Sequence, residues 1–171
     1  MIQPVETKTI NLVDYKKLIG EEKYKEILLS ANQLKGLRVL HINTTTDGGV
    51  GEILKTLVPL LNDTELEASW YIFEKNVNFF RVSKELHNLL QGKKGDLSEE
   101  QKNIYTDINR QLARGLETKK FDLLVVHDPQ PAATLTFLPE KVKSIWRCHI
   151  DTSKGRLKNW CSAGKDCRYT R

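Results

Sequence analysis

Short apolar runs alternate with amphipathic segments along the 171-residue chain. The apolar runs predict core strands at 37–43, 68–73, 121–127 and 143–150. Between them, apolar residues recur every three or four positions, which predicts helices at 50–61, 76–91, 98–116 and 132–137. Strands that alternate with helices indicate an α/β fold with a parallel sheet and helices covering both of its faces.

The two ends of the chain differ from this central pattern. Residues 5–11 are expected to be extended, and Asp14 is expected to cap a helix that runs to about Ala31. After about residue 160 neither a helical nor a strand period is found, which predicts a disordered tail or a frameshifted end. We therefore divide the chain into residues 1–35, a main domain at 36–160, and a tail at 161–171.

Polar clusters follow three of the predicted strands, at 43–49, 127–130 and 149–151. The carboxyl ends of parallel strands lie at one edge of a sheet, and ligands bind beyond that edge. The three clusters are therefore expected to converge on a single site.

A glycine-containing turn joins the first core strand to the following helix. Gly48 and Gly49 permit close approach of a ligand, and Gly51 permits tight packing of the helix against the sheet. Backbone N–H groups at this helix N-terminus could hold an anion. The glycine spacing matches neither the dinucleotide-binding fingerprint nor the P-loop, which disfavours nicotinamide enzymes and ATPases. A tight turn without any ligand stays open as the alternative.

The second cluster contains His127, Asp128 and Gln130. An imidazole and a carboxylate at a strand end can bind sugar hydroxyls or move a proton. In the alternative interpretation, Asp128 caps the next helix and His127 fills a core position.

The third cluster alternates polar and apolar residues, which places Arg147, His149 and Asp151 on one strand face. Burial of three ionisable groups is costly unless they pair or bind a ligand. An edge strand with this face in water is the alternative, and Trp146 on the opposite face is expected in the core.

Charge and cysteine usage narrow the function classes. The net charge is +5 and the pI about 9.0, but residues 154–171 alone carry this excess, which argues against nucleic-acid binding. No apolar run spans a bilayer and the N-terminus is unlike a signal peptide, so we expect a cytoplasmic protein. Cys148 is expected to be buried in a strand, and Cys161 and Cys167 to be free thiols, with no metal site.

Three motifs, in order, are NTTTDGGVGEIL at 43–54, HDPQPA at 127–132 and WRCHID at 146–151. Together they resemble the trehalose-synthesising glycosyltransferases of family 4, over about residues 35–160. The resemblance implies a Rossmann-like domain that forms the N-terminal, acceptor-side half of a GT-B fold. It also implies a retaining transfer of glucose from a nucleotide-diphosphate glucose to glucose, giving trehalose.

Carried over to this sequence, the resemblance implies that Gly48 and Gly49 approach the donor diphosphate and that His127 and Asp128 lie near the acceptor sugar. It places His149 near the transferred glucose, with Arg147 and Asp151 supporting the pocket. His149, Asp128 and Arg147 are thus the candidate catalytic residues. The candidate substrate-binding residues are Gly48, Gly49, His127, Asp128, Gln130 and Asp151.

The expected partners are glucose or trehalose, a nucleotide sugar held by a donor domain, a separate chain that supplies this domain, and a second copy in a homodimer. No cofactor, nucleic acid or membrane is expected. The chain matches only the family's N-terminal domain, so we expect it to be inactive alone. A trehalose phosphorylase-type enzyme and a non-catalytic sugar- or nucleotide-binding module are the alternatives.

Overall fold

The computed structural model describes residues 2–73 and 76–153. The expected free thiols Cys161 and Cys167 and the expected disordered tail lie outside the described residues. The strands are β1 (Ile2–Pro4), β2 (Arg38–Asn43), β3 (Glu67–Phe73), β4 (Leu123–His127) and β5 (Ser144–Arg147). The α-helices are α1 (Lys16–Ile19), α2 (Glu21–Asn32), α3 (Gly48–Asp63), α4 (Val77–Leu90) and α5 (Glu99–Leu116), and short 3₁₀ helices occupy Leu12–Tyr15 and Ala132–Thr136.

The strands form one sheet in the order β1-β3-β2-β4-β5. Strands β3, β2, β4 and β5 are parallel, and β1 pairs with β3 in the antiparallel direction. From β2 the chain passes through α3 to β3 on one side, and from β3 it passes through α4 and α5 to β4 on the other side. The sheet therefore has a topological switch point between β2 and β4, where ligands bind in open α/β sheets.

Helices cover both faces of this sheet. Alternate strand residues point to opposite faces, so each face presents apolar side chains to a helix. On one face, Leu40 and Leu124 pack with Leu116 of α5. On the other face, Val39 packs with Ala31 of α2. The α/β fold predicted from the sequence, with a mostly parallel sheet and helices on both faces, is confirmed.

The N-terminal helix prediction is wrong. Strand β1 at Ile2–Pro4 precedes residues 5–11, the segment expected to be extended, which lies outside helices and strands. The single helix predicted from Asp14 is broken into a 3₁₀ turn, α1 and α2. Gly20 causes the break, since its φ of +84° is incompatible with a continuous right-handed helix.

The longer elements after residue 36 agree with the periodic pattern within a few residues. Ser98 and Gln101 form the predicted capping box at the start of α5. The segment predicted as a helix at 132–137 is a 3₁₀ helix, and the strand predicted at 143–150 ends at Arg147. Cys148 consequently follows β5, where it is half-buried rather than inside a strand. Within the described residues, the helices are too short or too polar to cross a membrane.

Candidate active site at the carboxyl edge of the sheet

Three histidine side chains connect β2, β4 and the segment after β5. His41 Nδ1 lies 3.0 Å from His127 Nε2, and His127 Nδ1 lies 2.9 Å from His149 Nε2. The neighbouring rings are stacked, with centroids 5.3 Å and 5.2 Å apart. His149 is half-buried, and the other two are buried with 4% exposure for His41 and 2% for His127. We call these three residues the histidine chain.

Burial keeps the histidine chain uncharged near neutral pH. Desolvation lowers the pKa of His41 from 6.5 to about 4. Desolvation, followed by the charges of its histidine neighbours and of Arg147, lowers the pKa of His127 to about 3. The pKa of His149 is also lowered, chiefly by burial and partly by Arg147, while Asp128 opposes this shift.

The expectation that Arg147, His149 and Asp151 share one strand face is wrong, because β5 ends at Arg147. The Arg147 carbonyl accepts the Asp128 N–H at 2.8 Å, after which the chain leaves the sheet. Arg147 and Asp151 are exposed, whereas His149 turns inward onto His127. Trp146 is half-buried against the core as expected.

Asp128 lies in the turn after β4 and joins this turn to the segment after β5. Its Oδ1 accepts the backbone N–H of His149 at 2.8 Å, and its carbonyl accepts the indole N–H of Trp146 at 2.8 Å. Its φ is +66°, a left-handed conformation in which Asp and Asn are among the tolerated residues. The interpretation of Asp128 as a cap is not supported, because the 3₁₀ helix after it has no side-chain cap.

Helix α5 braces the 128–134 loop from beneath. The Tyr105 hydroxyl donates to the Pro129 carbonyl at 2.6 Å and accepts the Ala133 N–H at 3.3 Å. Asn109, fully buried, donates to the Gln130 carbonyl at 3.1 Å. Burial raises the pKa of Tyr105, so its hydroxyl remains a donor across the physiological range.

Asn109 also fixes the start of the 3₁₀ helix. Its Oδ1 accepts both the backbone N–H of Thr134 at 3.0 Å and the hydroxyl of Thr134 at 2.8 Å. The loop that carries Asp128 is thereby tied to α5 by side chains that are themselves buried. The side-chain Oε1 of Gln130 is buried and has no hydrogen-bond partner among the described residues.

The glycine turn after β2 is fixed by Asn43. Its Oδ1 accepts the indole N–H of Trp70 at 2.7 Å, and its Nδ2 donates to the Thr45 carbonyl at 2.7 Å. Gly48 and Gly49 are exposed in the first turn of α3, whose N-cap residue Asp47 makes no side-chain capping bond. The first turn of α3 thus follows β2 at the same edge of the sheet as the histidine chain.

The sequence suggested that Gly51 allows the helix to pack tightly against the sheet. In the structure Gly51 packs against the preceding turn instead. A Cβ at this position would overlap the Thr46 carbonyl oxygen, whereas a Cβ at Gly48 or Gly49 would meet nothing within 4 Å. Close approach of backbone to backbone therefore explains Gly51, and Gly48 and Gly49 leave open space at the edge.

The structure thus brings together His127, Asp128 and His149, and places the Gly48–Gly49 turn at the same edge through β2. His127 has no ring nitrogen left for a ligand, because both are bonded within the histidine chain. No described group of three or more His, Cys, Asp or Glu side chains is arranged to hold a metal ion.

Sequence reasoning missed His41, Tyr105 and Asn109. His41 lies opposite Val125 in the parallel pairing of β2 with β4. His127 is two residues after Val125 and therefore on the same face of the sheet. The strand register could have predicted the contact between His41 and His127. Tyr105 and Asn109 are four residues apart on the buried face of α5, but nothing local indicates which loop they hold.

Known proteins with similar sequences identify the family of this chain. Residues 41–164 match the family described as trehalose synthase, N-terminal domain. A trehalose synthase of Pyrococcus horikoshii is 44% identical over 151 residues, covering 87% of this chain and 36% of the relative. A trehalose synthase of Rubrobacter xylanophilus is 46% identical over 159 residues, covering 90% and 38%.

A more distant similarity links the chain to a trehalose phosphorylase of Pleurotus pulmonarius, which is 24% identical over 157 residues, covering 82% of this chain and 21% of that protein. The chain spans little more than a third of the length of the two trehalose synthases. The matched region contains all three polar clusters and all three members of the histidine chain. The chain belongs to the trehalose synthase N-terminal domain family.

Proposed function

We propose that this chain forms the acceptor-side half of the active site of a retaining glycosyltransferase that makes trehalose from a nucleotide-diphosphate glucose and glucose. One observation carries the proposal. The segments after β2, β4 and β5 lie at one edge of the parallel sheet, where the half-buried His149 contacts the buried His127. The motifs that resemble the family lie in these same segments.

All predicted site residues except His127 contact substrate or border the pocket in this proposal. His127 was expected near the acceptor sugar, but it is buried and both of its ring nitrogens are bonded to His41 and His149. The open first turn of α3 at Gly48 and Gly49 would approach the donor diphosphate. Asp128 would accept hydrogen bonds from hydroxyls of the acceptor glucose, and His149 would lie against the transferred glucose. The exposed Arg147 and Asp151 would border the pocket. Gln130 would contribute its carboxamide, whose buried oxygen lacks a partner among the described residues.

The donor nucleotide requires a second binding surface in this proposal. That surface would belong to a donor domain, on the same polypeptide or on a separate chain, and the cleft would close between the two halves. A homodimer is compatible with this arrangement. No cofactor is needed, since the leaving diphosphate activates the donor, and nucleic acid and membranes are not expected partners. A cytoplasmic location also stays a prediction.

Trehalose formation tests the proposal directly. The protein that carries this chain is incubated with glucose and with UDP- or ADP-glucose, and trehalose is measured. We expect formation by the unaltered protein and a loss of at least about a hundredfold in His149→Ala, the size of effect seen when a positioned catalytic group is removed. His87→Ala, in the last turn of α4, is the matched control and should retain activity.

The same assay separates the alternatives. A phosphorylase-type enzyme would form trehalose from glucose 1-phosphate and glucose and would release phosphate. A non-catalytic binding module would bind glucose without forming trehalose from either donor. Activity with the nucleotide sugar in the unaltered protein and its loss in His149→Ala would support the glycosyltransferase, and either of the other two outcomes would contradict it.

A further inference from the structure

The histidine chain runs from the accessible edge of the sheet into its interior. His149, at the outer end, is half-buried, and the described residues give its Nδ1 no hydrogen-bond partner. His41, at the inner end, is 4% exposed, and its Nε2 is buried without a partner among the described residues. The histidine chain thus connects the half-buried His149, which a ligand could contact, to the buried Nε2 of His41.

Two nitrogen–nitrogen hydrogen bonds make the three tautomers interdependent. A neutral imidazole carries one N–H and one lone pair, and each bond needs one of each. If His41 donates from Nδ1, His127 must accept at Nε2 and donate from its own Nδ1 to His149 Nε2. If His149 donates inward instead, the direction of both bonds reverses. The tautomer of His149 therefore depends on a residue two rings away.

We call donation from His41 through His127 to His149 outward, and the reverse inward. The unpartnered Nε2 of His41 favours the outward direction. Outward donation leaves a lone pair at the buried His41 Nε2, and inward donation leaves an N–H there. An unpaired buried N–H is the rarer of the two defects in folded proteins. The outward direction places the protons of all three residues on Nδ1.

We propose that His41 and His127 are positioning residues that hold His149 with its proton on Nδ1, so that this N–H donates to a hydroxyl oxygen of the bound sugar. The identity of that ligand rests on the proposed function, whereas the tautomer rests on the hydrogen bonds alone. The histidine chain does not conduct protons to solvent, because its inner end is sealed at His41 Nε2.

Nitrogen-15 NMR of the whole chain at pH 7.5 tests the tautomer. This pH lies well above the pKa values of about 4 and about 3 for His41 and His127, so both rings are neutral. We expect protonated Nδ1 and unprotonated Nε2 in all three rings, with scalar couplings across both hydrogen bonds. A proton on Nε2 of His149, or a mixture of tautomers at His149, would overturn the proposal.

Two substitutions at His41 distinguish the effect of its hydrogen-bond donor from the effect of its side-chain volume. His41→Asn retains an N–H donor on Cγ where Nδ1 lies, and should keep His149 protonated on Nδ1. His41→Phe retains a ring without a donor, and His149 should then populate both tautomers. An unchanged His149 tautomer in folded His41→Phe would refute the coupling, and if this variant does not fold, the couplings in the unaltered chain and in His41→Asn decide. His87→Asn is the control for loss of a histidine outside the chain.

Kinetics in the protein that carries this chain distinguish the two proposals from each other. His41→Phe should lower kcat/KM for trehalose formation roughly tenfold, the effect of one misdirected hydrogen bond, and His41→Asn should restore most of it. If the tautomers are as expected but no trehalose forms with the unaltered protein, the proposed function fails and the positioning of His149 stands. If trehalose forms but His41→Phe is fully active, the positioning role fails alone.

Discussion

Gly51 shows how one missing side chain shapes the edge of the site. The Thr46 carbonyl occupies the space that a Cβ at this position would need, and a backbone atom cannot move aside as a flexible side chain can. Gly51→Ala should therefore displace the glycine turn and lower the free energy of unfolding by about 3 kcal/mol, the upper part of the usual overpacking range. Urea unfolding measures the change.

Gly49→Ala is the matched control for this substitution. Gly49 lies in the same helical turn, and a Cβ there would meet nothing within 4 Å. Alanine should leave the free energy of unfolding unchanged or raise it by up to about 1 kcal/mol, because alanine is the better helix former. Equal effects of the two substitutions would show that the contact with Thr46 does not constrain Gly51.

Burial of His41 and His127 makes stability depend on pH. Their pKa values are lowered from 6.5 to about 4 and about 3, so below pH 6.5 the unfolded chain binds protons that the folded chain does not. Stability should be highest above pH 6.5 and fall towards pH 4, by roughly 1.4 kcal/mol per pH unit for each histidine.

Urea unfolding at pH 7.5, 6, 5 and 4.5 tests this dependence. His41→Asn removes one titrating ring and should give a shallower fall than the unaltered chain, whereas His87→Asn should match the unaltered chain. A fall of the same steepness in His41→Asn would mean that carboxylates, rather than the histidine chain, dominate acid unfolding.

At the scale of elements, α5 positions the loop that carries Asp128. Tyr105→Phe removes the hydroxyl that pairs with Pro129 and Ala133. The Pro129 carbonyl keeps the Ala132 N–H, whereas the Ala133 N–H loses the Tyr105 oxygen as its acceptor. We expect the free energy of unfolding to fall by about 1–3 kcal/mol. Tyr24→Phe, in α2 and away from the loop, should change it by less than about 0.5 kcal/mol. No difference between the two variants would remove Tyr105 from this role.

The elements with a strong local pattern could be predicted from the sequence. The capping box at Ser98 and the periodic apolar positions of α4 and α5 specify their helices locally. The break at Gly20 was missed, because glycine is tolerated in helices and only the backbone shows its φ of +84°. The end of β5 was missed as well, since polar–apolar alternation continues after Arg147 although the chain has left the sheet.

The candidate site could be predicted only where its residues follow a strand with a clear local pattern. His127, Asp128 and His149 each follow or end a recognisable strand, so their convergence follows from parallel topology. His41 lies inside an apolar strand and Asn109 inside a helix, where a buried polar residue gives no local sign of its partner. These contacts are long-range, and they required strand register and helix placement.

At the scale of the whole molecule, the chain presents one edge at which the ends of its parallel strands are accessible. This edge includes the switch point between β2 and β4, and in the proposed function it faces the donor domain. Such an open half-site should bind glucose weakly, with a Kd near the millimolar level that corresponds to about −4 kcal/mol.

Asp128 allows the role of the carboxylate in this binding to be separated from its role in the turn. Asp128→Asn retains an oxygen for the His149 N–H and a residue type that tolerates the φ of +66°. Glucose binding should nevertheless weaken about tenfold, because hydrogen bonds to a charged group are roughly twice as strong as neutral ones. Asp128→Ala should abolish it. Binding unchanged in both variants, measured by NMR titration, would exclude the carboxylate from the site.

Chemical-shift titration of the whole chain with glucose tests the central claim most directly. We predict saturable shifts near millimolar glucose, confined to residues 43–49, 127–130 and 147–151 and to the ring of His149. Galactose or mannitol at the same concentrations serves as the control for non-specific effects. An absence of saturable shifts with glucose, or shifts only at residues away from these three segments, would contradict the claim that this edge is the sugar-binding half of the site.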